Sequence, residues 1–272
     1  MKSSLLYGVY CVTGVLWLLL VYFSGYTGIT EGPIFEFLVK PFLIGMTILP
    51  FMGGIAGLLK AKKWGGNKSI VGRALTSLSL GLIAWSGGMI IWNYFLFFTT
   101  IEVPYPSIAD GLFILSWPLW SYGIWQLARA TGVKFALRTM AGKILLCTIP
   151  IVTGALSYIL LIVVARGGII QWSSGGIKLF FDLFYPLGDV VIITGVALLY
   201  GLSKKFLGGK LKRPIIMLLI GFIFNYVTDF IFSYTTTKET YFNGHMVDIL
   251  FTTTMFILSL AVNSFDLDST KS

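Results

Sequence analysis

The sequence predicts an all-α integral membrane protein, one domain over residues 1–272 with eight transmembrane helices. Composition, apolar run length and the distribution of basic residues support this prediction. Of the 272 residues, 56% are hydrophobic and 11% are charged, against about 25% charged in an average soluble domain. The mean hydropathy is +0.87. Because 20 basic and 11 acidic side chains cannot cover a soluble protein of this length, the apolar excess is expected to face lipid.

Eight apolar runs are long enough to cross the hydrocarbon core of a bilayer, which takes about 20 helical residues. The predicted spans are 5–24, 36–59, 74–98, 108–128, 144–165, 179–202, 214–234 and 245–263. The sixth is the least regular, because Asp182, Pro186 and Asp189 interrupt it. Its first third is therefore either part of a full span or an interfacial or re-entrant segment.

Lysine and arginine residues concentrate in alternate loops, with 16 on one side of the predicted spans and 4 on the other. This asymmetry predicts that both termini lie in the cytoplasm, which requires an even number of spans. The net charge of +9 is then explained by topology and by attraction to anionic headgroups of membrane lipids. Nucleic acid is not an expected partner, because the basic clusters are short and lack interleaved stacking aromatics.

Acidic residues follow the opposite distribution. Of the eleven, only Asp266 and Asp268 fall on the predicted cytoplasmic side. The other nine lie in outer loops or in the outer parts of spans. If the protein has a polar site, we therefore expect it in the outer half of the bundle, in a pocket open to the outside.

An internal repeat organises the polar residues. Asn93 and Asn225 lie near the ends of the third and seventh spans, and Asp110, Asp189 and Asp248 each follow an outer loop at the start of an apolar run. This recurrence predicts four helical hairpins in the same orientation, related by an axis along the membrane normal. The three aspartates would then recur at similar depth around the bundle.

Six side chains are candidates for a ligand-binding site, and each also has a purely structural explanation. They are Asn93, Asp110, Asp189, Asn225, Asp229 and Asp248. Asp110 follows Ser107 at the spacing of a helix N-terminal capping box. Asp189 is either an intramembrane carboxylate facing a cavity or the first turn of a helix that begins at Pro186. Asn225 and Asp229, four residues apart, share a helix face and suit interhelical hydrogen bonds.

Metal and catalytic chemistry have little support in the sequence. His245 and Asp248 are one turn apart, but two ligands make a weak metal candidate and a loop or cap role is favoured. No nucleophile elbow, phosphate loop or metalloprotease motif occurs, so we expect neither an enzyme nor a cofactor. Cys11 and Cys147 lie in apolar runs, which predicts small buried side chains instead of a disulfide.

The central part of the chain contains Trp85, Gly88 and Trp92, the segment Pro104-Tyr105-Pro106-Ser107-Ile108-Ala109-Asp110, and Trp117-Pro118-Leu119. With these residues it resembles a polytopic membrane module of archaea and bacteria that often precedes histidine-kinase or diguanylate-cyclase domains. The hallmark of that module is a Pro-Ser-x-Ala-Asp segment after a tryptophan-bearing helix. The resemblance implies a sensor in a prokaryotic plasma membrane. Little sequence follows the eighth span, so signalling is expected to need a separate cytoplasmic partner.

Three function classes follow from these features. The preferred hypothesis is a receptor-like or sensory protein whose outward pocket binds a small polar ligand, a lipid headgroup or a cation. The alternative is a small cation or proton transporter or channel that uses the same aspartates. An integral-membrane enzyme is the third. The Gly53-x-x-x-Gly57 pattern allows close helix approach, either inside the bundle or in a homodimer.

Overall fold

The computed structural model describes residues 3–99, 103–104, 106–164, 167–168, 176–203 and 211–266, and within these ranges it contains helices and no strand. Eight helices are long. They are α1 (Ser3–Thr27), α2 (Pro33–Lys63), α3 (Ile70–Phe98), α4 (Ile108–Ala130), α5 (Met140–Ser157), α6 (Gly176–Ser203), α7 (Lys212–Thr237) and α8 (Met246–Asn263). π-Helical turns over Tyr158–Val164 extend α5, and short helical segments lie at Gly66–Lys68 and Val133–Ala136.

Each predicted span falls on one of the long helices, counting the π-helical extension of α5, and position 165 at the end of the fifth span lies outside the described residues. This confirms the all-α prediction. Six are long and apolar enough to cross a membrane: α1, α2, α3, α5 with its π-helical extension, α7 and α8. Neither α4 nor the apolar part of α6, Leu187–Ser203, is among these six. The backbone of α6 stays helical through Pro186, so no chain reversal interrupts it there. The chain is thus a multi-pass membrane protein.

Six helices form a closed ring in the order α2, α3, α4, α6, α7 and α8. Helix α1 packs outside this ring on α2 and α8, and α5 packs outside it on α6. Both outer helices therefore leave most of their apolar surface exposed, as lipid-facing helices do. Cys11 and Cys147 lie on these two helices and are exposed, so the prediction that they are buried is wrong. Apolar neighbours in sequence do not distinguish a lipid-facing position from a core position.

The two ends of the bundle differ in charge. The ends of α2 and α8 lie together, because Trp64 Nε1 donates to the Phe265 carbonyl (3.2 Å) and Lys60 forms a salt bridge with Asp266 (3.1 Å). We call this the basic end and the other one the far end. The described basic residues at the basic end are Lys60, Lys62, Lys63, Lys68, Arg73, Arg129, Lys134, Arg138, Lys143, Lys212 and Arg213.

Helix α2 can contact three neighbours closely because it carries glycines where they cross. A Cβ atom on Gly45 would collide with Thr13 of α1, one on Gly53 with Ser259 of α8, and one on Gly57 with Ser79 of α3. Small residues at such crossings let membrane helices pack closely. The Gly53-x-x-x-Gly57 pattern therefore serves packing inside the bundle.

We expect Gly57→Ala to lower the melting temperature of the purified protein in detergent. The added methyl group enters a packed interface, which typically costs about 1–3 kcal/mol. Gly14→Ala on α1 is the matched control, since its Cβ would meet no atom within 4 Å. This variant gains the same helix propensity, about 1 kcal/mol, as Gly57→Ala does. Equal melting temperatures for the two variants in differential scanning fluorimetry would contradict this packing.

Candidate functional site

Asp110 caps its own helix and also binds a second helix. The backbone N–H of Ser107 donates to Asp110 Oδ2 (2.7 Å), and Ser107 Oγ accepts from the backbone N–H of Ala109 (3.2 Å). These contacts confirm the predicted capping box. The other carboxylate oxygen, Oδ1, accepts from the hydroxyl of Tyr185 on α6 (2.8 Å). Asp110 therefore joins the far end of α4 to α6.

Asp189, Asn225 and Asp229 come together between α6 and α7. Asn225 Nδ2 donates to Asp189 Oδ1 (3.4 Å) and to Asp229 Oδ2 (2.5 Å). The carboxyl groups of Asp189 and Asp229 therefore lie on either side of one amide nitrogen. Asp189 and Asn225 are each 4% exposed, whereas Asp229 is half-buried, so the contact between Asp189 and Asn225 forms inside the helix bundle. In the described part of the chain, no salt bridge reaches either carboxyl group.

Two tyrosines connect this group to the surrounding helices. Tyr185 lies one turn before Asp189 on the same face of α6 and reaches Asp110 of α4. The hydroxyl of Tyr226, on α7, shares a hydrogen bond with Ser157 Oγ of α5 (2.7 Å). We call Tyr185, Asp189, Asn225, Tyr226 and Asp229 the α6–α7 polar cluster. Through it, polar contacts link four consecutive helices, α4 to α7.

Asp248 is held by the loop that precedes its own helix. Its Oδ2 accepts from the backbone N–H of Gly244 (2.6 Å) and its Oδ1 from the hydroxyl of Tyr241 (3.0 Å). His245 is the N-cap residue of α8, and its Nδ1 accepts from the backbone N–H of Val247 (3.3 Å). Among the described residues, no group of three or more His, Cys, Asp or Glu side chains is arranged to hold a metal.

Asn93 lies in another interface, between α3 and α2. Its Nδ2 donates to Thr47 Oγ1 (2.9 Å) and to the Leu43 carbonyl (3.3 Å). Of the six predicted site residues, the structure thus brings three together, Asp189, Asn225 and Asp229. Asp110 is joined to them through Tyr185, whereas Asn93 and Asp248 bind other parts of the bundle.

The loop between α7 and α8 docks onto α1, α2 and α3, which sequence reasoning did not anticipate. Trp17 Nε1 donates to the Gly244 carbonyl (3.2 Å), and Trp92 Nε1 donates to Asn243 Oδ1 (3.2 Å). The rings of Phe35 and Phe242 also pack together, with their centroids 6.3 Å apart. The two tryptophans, more than 140 residues upstream of the loop, are the only part of this contact that stands out in the sequence.

Burial perturbs two titratable groups of this loop. It raises the pKa of the Tyr241 hydroxyl well above its usual range, and the negative charge of Asp248 adds to this effect. Burial lowers the pKa of the His245 imidazole from its usual 6.5. Tyr241 therefore stays a hydrogen-bond donor to Asp248 at neutral pH, and His245 stays neutral and able to accept from Val247.

We expect His245→Asn to reduce the loss of thermal stability below about pH 6.5. Because the folded state lowers the pKa of His245, the unfolded chain binds a proton more tightly than the folded chain does. The stability that neutral His245 contributes is therefore present above pH 6.5 and is lost on acidification. Asparagine keeps the N-cap hydrogen bond without titrating. The test compares melting temperatures of wild type and variant from pH 5 to 8. Parallel pH curves for the two proteins would show that His245 does not contribute.

Comparison with known proteins found no matching family model, no matching curated protein and no matching solved structure. The resemblance to the sensory membrane module therefore stays a prediction.

Proposed function

We propose that the protein is a receptor-like sensory membrane protein whose α6–α7 polar cluster binds a small cation. One observation carries this proposal: the carboxyl groups of Asp189 and Asp229 share one amide donor, Asn225 Nδ2, and no salt bridge among the described residues reaches either of them. An ionised carboxylate only accepts hydrogen bonds, and two of them repel in a medium of low dielectric constant. Their proximity therefore favours a proton or a cation beside them.

The composition of the cluster favours a hard cation. Carboxylate, amide and hydroxyl oxygens suit alkali and alkaline-earth ions better than soft transition metals, which prefer histidine and cysteine. Asn225 donates to both carboxylates, so it holds them at a fixed separation. Charged groups at this depth are costly and usually serve a function.

The contacts around the cluster offer a way to transmit occupancy. Tyr185 links it to Asp110 on α4, and Tyr226 links it to Ser157 on α5. Neutralising the carboxylate pair would change the spacing of α6 and α7, and these hydrogen bonds would carry the shift to α4 and α5. A ligand acts in this way when it binds one arrangement of the helices more tightly than another. The basic loops of these helices would pass the shift to a separate cytoplasmic partner.

We also propose that all eight long helices cross the plasma membrane of a prokaryote, with both termini in the cytoplasm. The place of α4 and α6 within the ring, between α3 and α7, supports this, as does the basic end. Membrane lipids then cover α1 and α5, whose exposed faces also allow a homodimer.

Two of the four predicted hairpin copies gain support from side-chain contacts. Asn93 of α3 donates to the preceding helix α2, and Asn225 of α7 donates to the preceding helix α6. Asp110 and Asp248 both lie in a first helical turn, and each accepts from a backbone N–H and a tyrosine hydroxyl. Asp189 does not fit the repeat, because it lies well inside α6.

The test is cation-dependent thermal stability of the full chain in lipid nanodiscs. We expect sodium, potassium, lithium or calcium chloride to raise the melting temperature relative to choline chloride at equal ionic strength. A ligand at 100 times its Kd stabilises by about 2.7 kcal/mol. Asp189→Asn and Asp229→Asn should abolish the response. Asp248→Asn, which also removes a buried carboxylate, is the matched control and should keep it. A wild type indifferent to every cation would overturn cation binding.

Flux measurements in liposomes separate a sensor from a transporter. A sensor binds the cation without moving it, so we expect proton and cation flux no greater than in protein-free vesicles. Flux in the wild type that Asp189→Asn abolishes would replace the sensory proposal with the transport alternative.

A further inference from the structure

A second polar region lies between α2, α3 and α8, apart from the α6–α7 polar cluster. On α3, small or polar residues recur at seven-residue intervals, and all of them are buried: Gly72, Ser79, Ser86 and Asn93. A seven-residue spacing keeps side chains on one seam between packed helices. Asn93 and Ser86 donate to α2, and Ser79 lies against Gly57 of α2, so these three members of the stripe face α2.

Helix α8 carries a second polar stripe, whose last two members contact α2. Its buried members are Asp248, Thr252, Ser259 and Asn263, whose spacings of four and seven residues place them on one helix face. Ser259 lies against Gly53, and Asn263 Nδ2 donates to the Gly53 carbonyl (3.2 Å). We call the interface formed by these stripes and α2 the polar seam.

Four oxygen atoms of the polar seam have no hydrogen-bond partner among the described residues. Asn93 Oδ1 lies toward the far end of α3. The other three are Ser79 Oγ, Ser259 Oγ and Asn263 Oδ1. Their residues are 0%, 0% and 7% exposed. All three surround the single turn of α2 from Gly53 to Gly57. The orientation of the Asn263 amide is fixed, because Nδ2 donates to two carbonyls, those of Gly53 and Ser259. Its Oδ1, an amide oxygen, can only accept a hydrogen bond from a donor group.

Packing against glycine does not satisfy these oxygens. A hydroxyl oxygen against a Cα–H group makes only a weak contact, and the Asn263 amide oxygen needs a true donor. A buried polar atom without a protein partner usually binds an internal water. The neutral oxygen set, without a carboxylate at this level, suits water better than a cation.

We propose that the polar seam binds water around Gly53–Gly57 and that this water enters from the basic end. Asn263 is the last residue of α8, so the free oxygens begin next to the surface, beside the Lys60–Asp266 salt bridge. The basic end of α2, α3 and α8 is thus an aqueous inlet into the bundle. It is independent of the carboxylate pair of α6 and α7.

Cysteine accessibility tests this inlet, because a thiol reacts as its thiolate and needs water. In a background with Cys11→Ala and Cys147→Ala, we would measure modification by silver ion, which is close to water in size, on the full chain in nanodiscs. Ser79→Cys and Ser259→Cys probe the polar seam. Ala74→Cys and Ala261→Cys are matched controls on the same helices, fully buried and nearer the basic end, but off the seam.

We expect the two seam cysteines to react at least about tenfold faster than the two controls, because water stabilises the thiolate only in the seam. Equally slow modification of all four cysteines, or control cysteines modified as fast as the seam cysteines, would overturn the proposal of an inlet.

A high-resolution density map of the unsubstituted chain gives a second measurement, which requires no variant to fold. Solvent density within hydrogen-bond distance of Asn263 Oδ1 would support the proposal. A dry contact between Ser79, Ser259 and the α2 glycines, with no solvent density at Asn263, would contradict it.

Discussion

Polar groups inside this bundle must find their partners within the protein, because hydrocarbon offers no hydrogen bonds. This constraint explains why Asn93 reaches back to α2 and why Asp248 is wrapped by the loop before it. It also explains why Tyr185 crosses from α6 to Asp110. Two places depart from this rule. The unpartnered oxygens of the polar seam are one. The carboxyl groups of Asp189 and Asp229 are the other, since they share the amide donor of Asn225 and neither ionised carboxylate can donate to the other. The proposed function rests on this carboxyl pair, where we propose a bound cation.

The bundle separates its two polar regions by charge and by position. The α6–α7 polar cluster contains carboxylates, where we propose a cation, whereas the polar seam at Gly53–Gly57 contains hydroxyl and amide oxygens, where we propose water. The polar seam owes its place to glycine, because only a missing Cβ lets Ser79 and Ser259 approach α2 so closely. Small residues in this chain therefore serve packing and also create room for polar atoms at the helix crossings.

The sequence was sufficient to predict the eight helices and the capping box of Asp110, because hydropathy and helix-end chemistry are local properties. It did not reveal which candidate residues meet. Asp189 and Asn225 are separated by 36 residues, and Tyr185 and Asp110 by 75, so only tertiary packing selects these pairs. The exposure of Cys11 and Cys147 was missed because apolar residues are favoured both on lipid-facing surfaces and in the core. Tyr241 and the docked loop gave no periodic signal at all.

The central claim is that α6 and α7 meet through one coupled polar cluster, and a double-mutant cycle tests it most directly. Free energies of unfolding would be measured by steric trapping in bicelles for Asp189→Ala, Asn225→Ala and the double variant. The account predicts a coupling energy above about 0.5 kcal/mol, as for residues in one hydrogen-bond network. Effects that add within about 0.3 kcal/mol, as for distant sites, would contradict it.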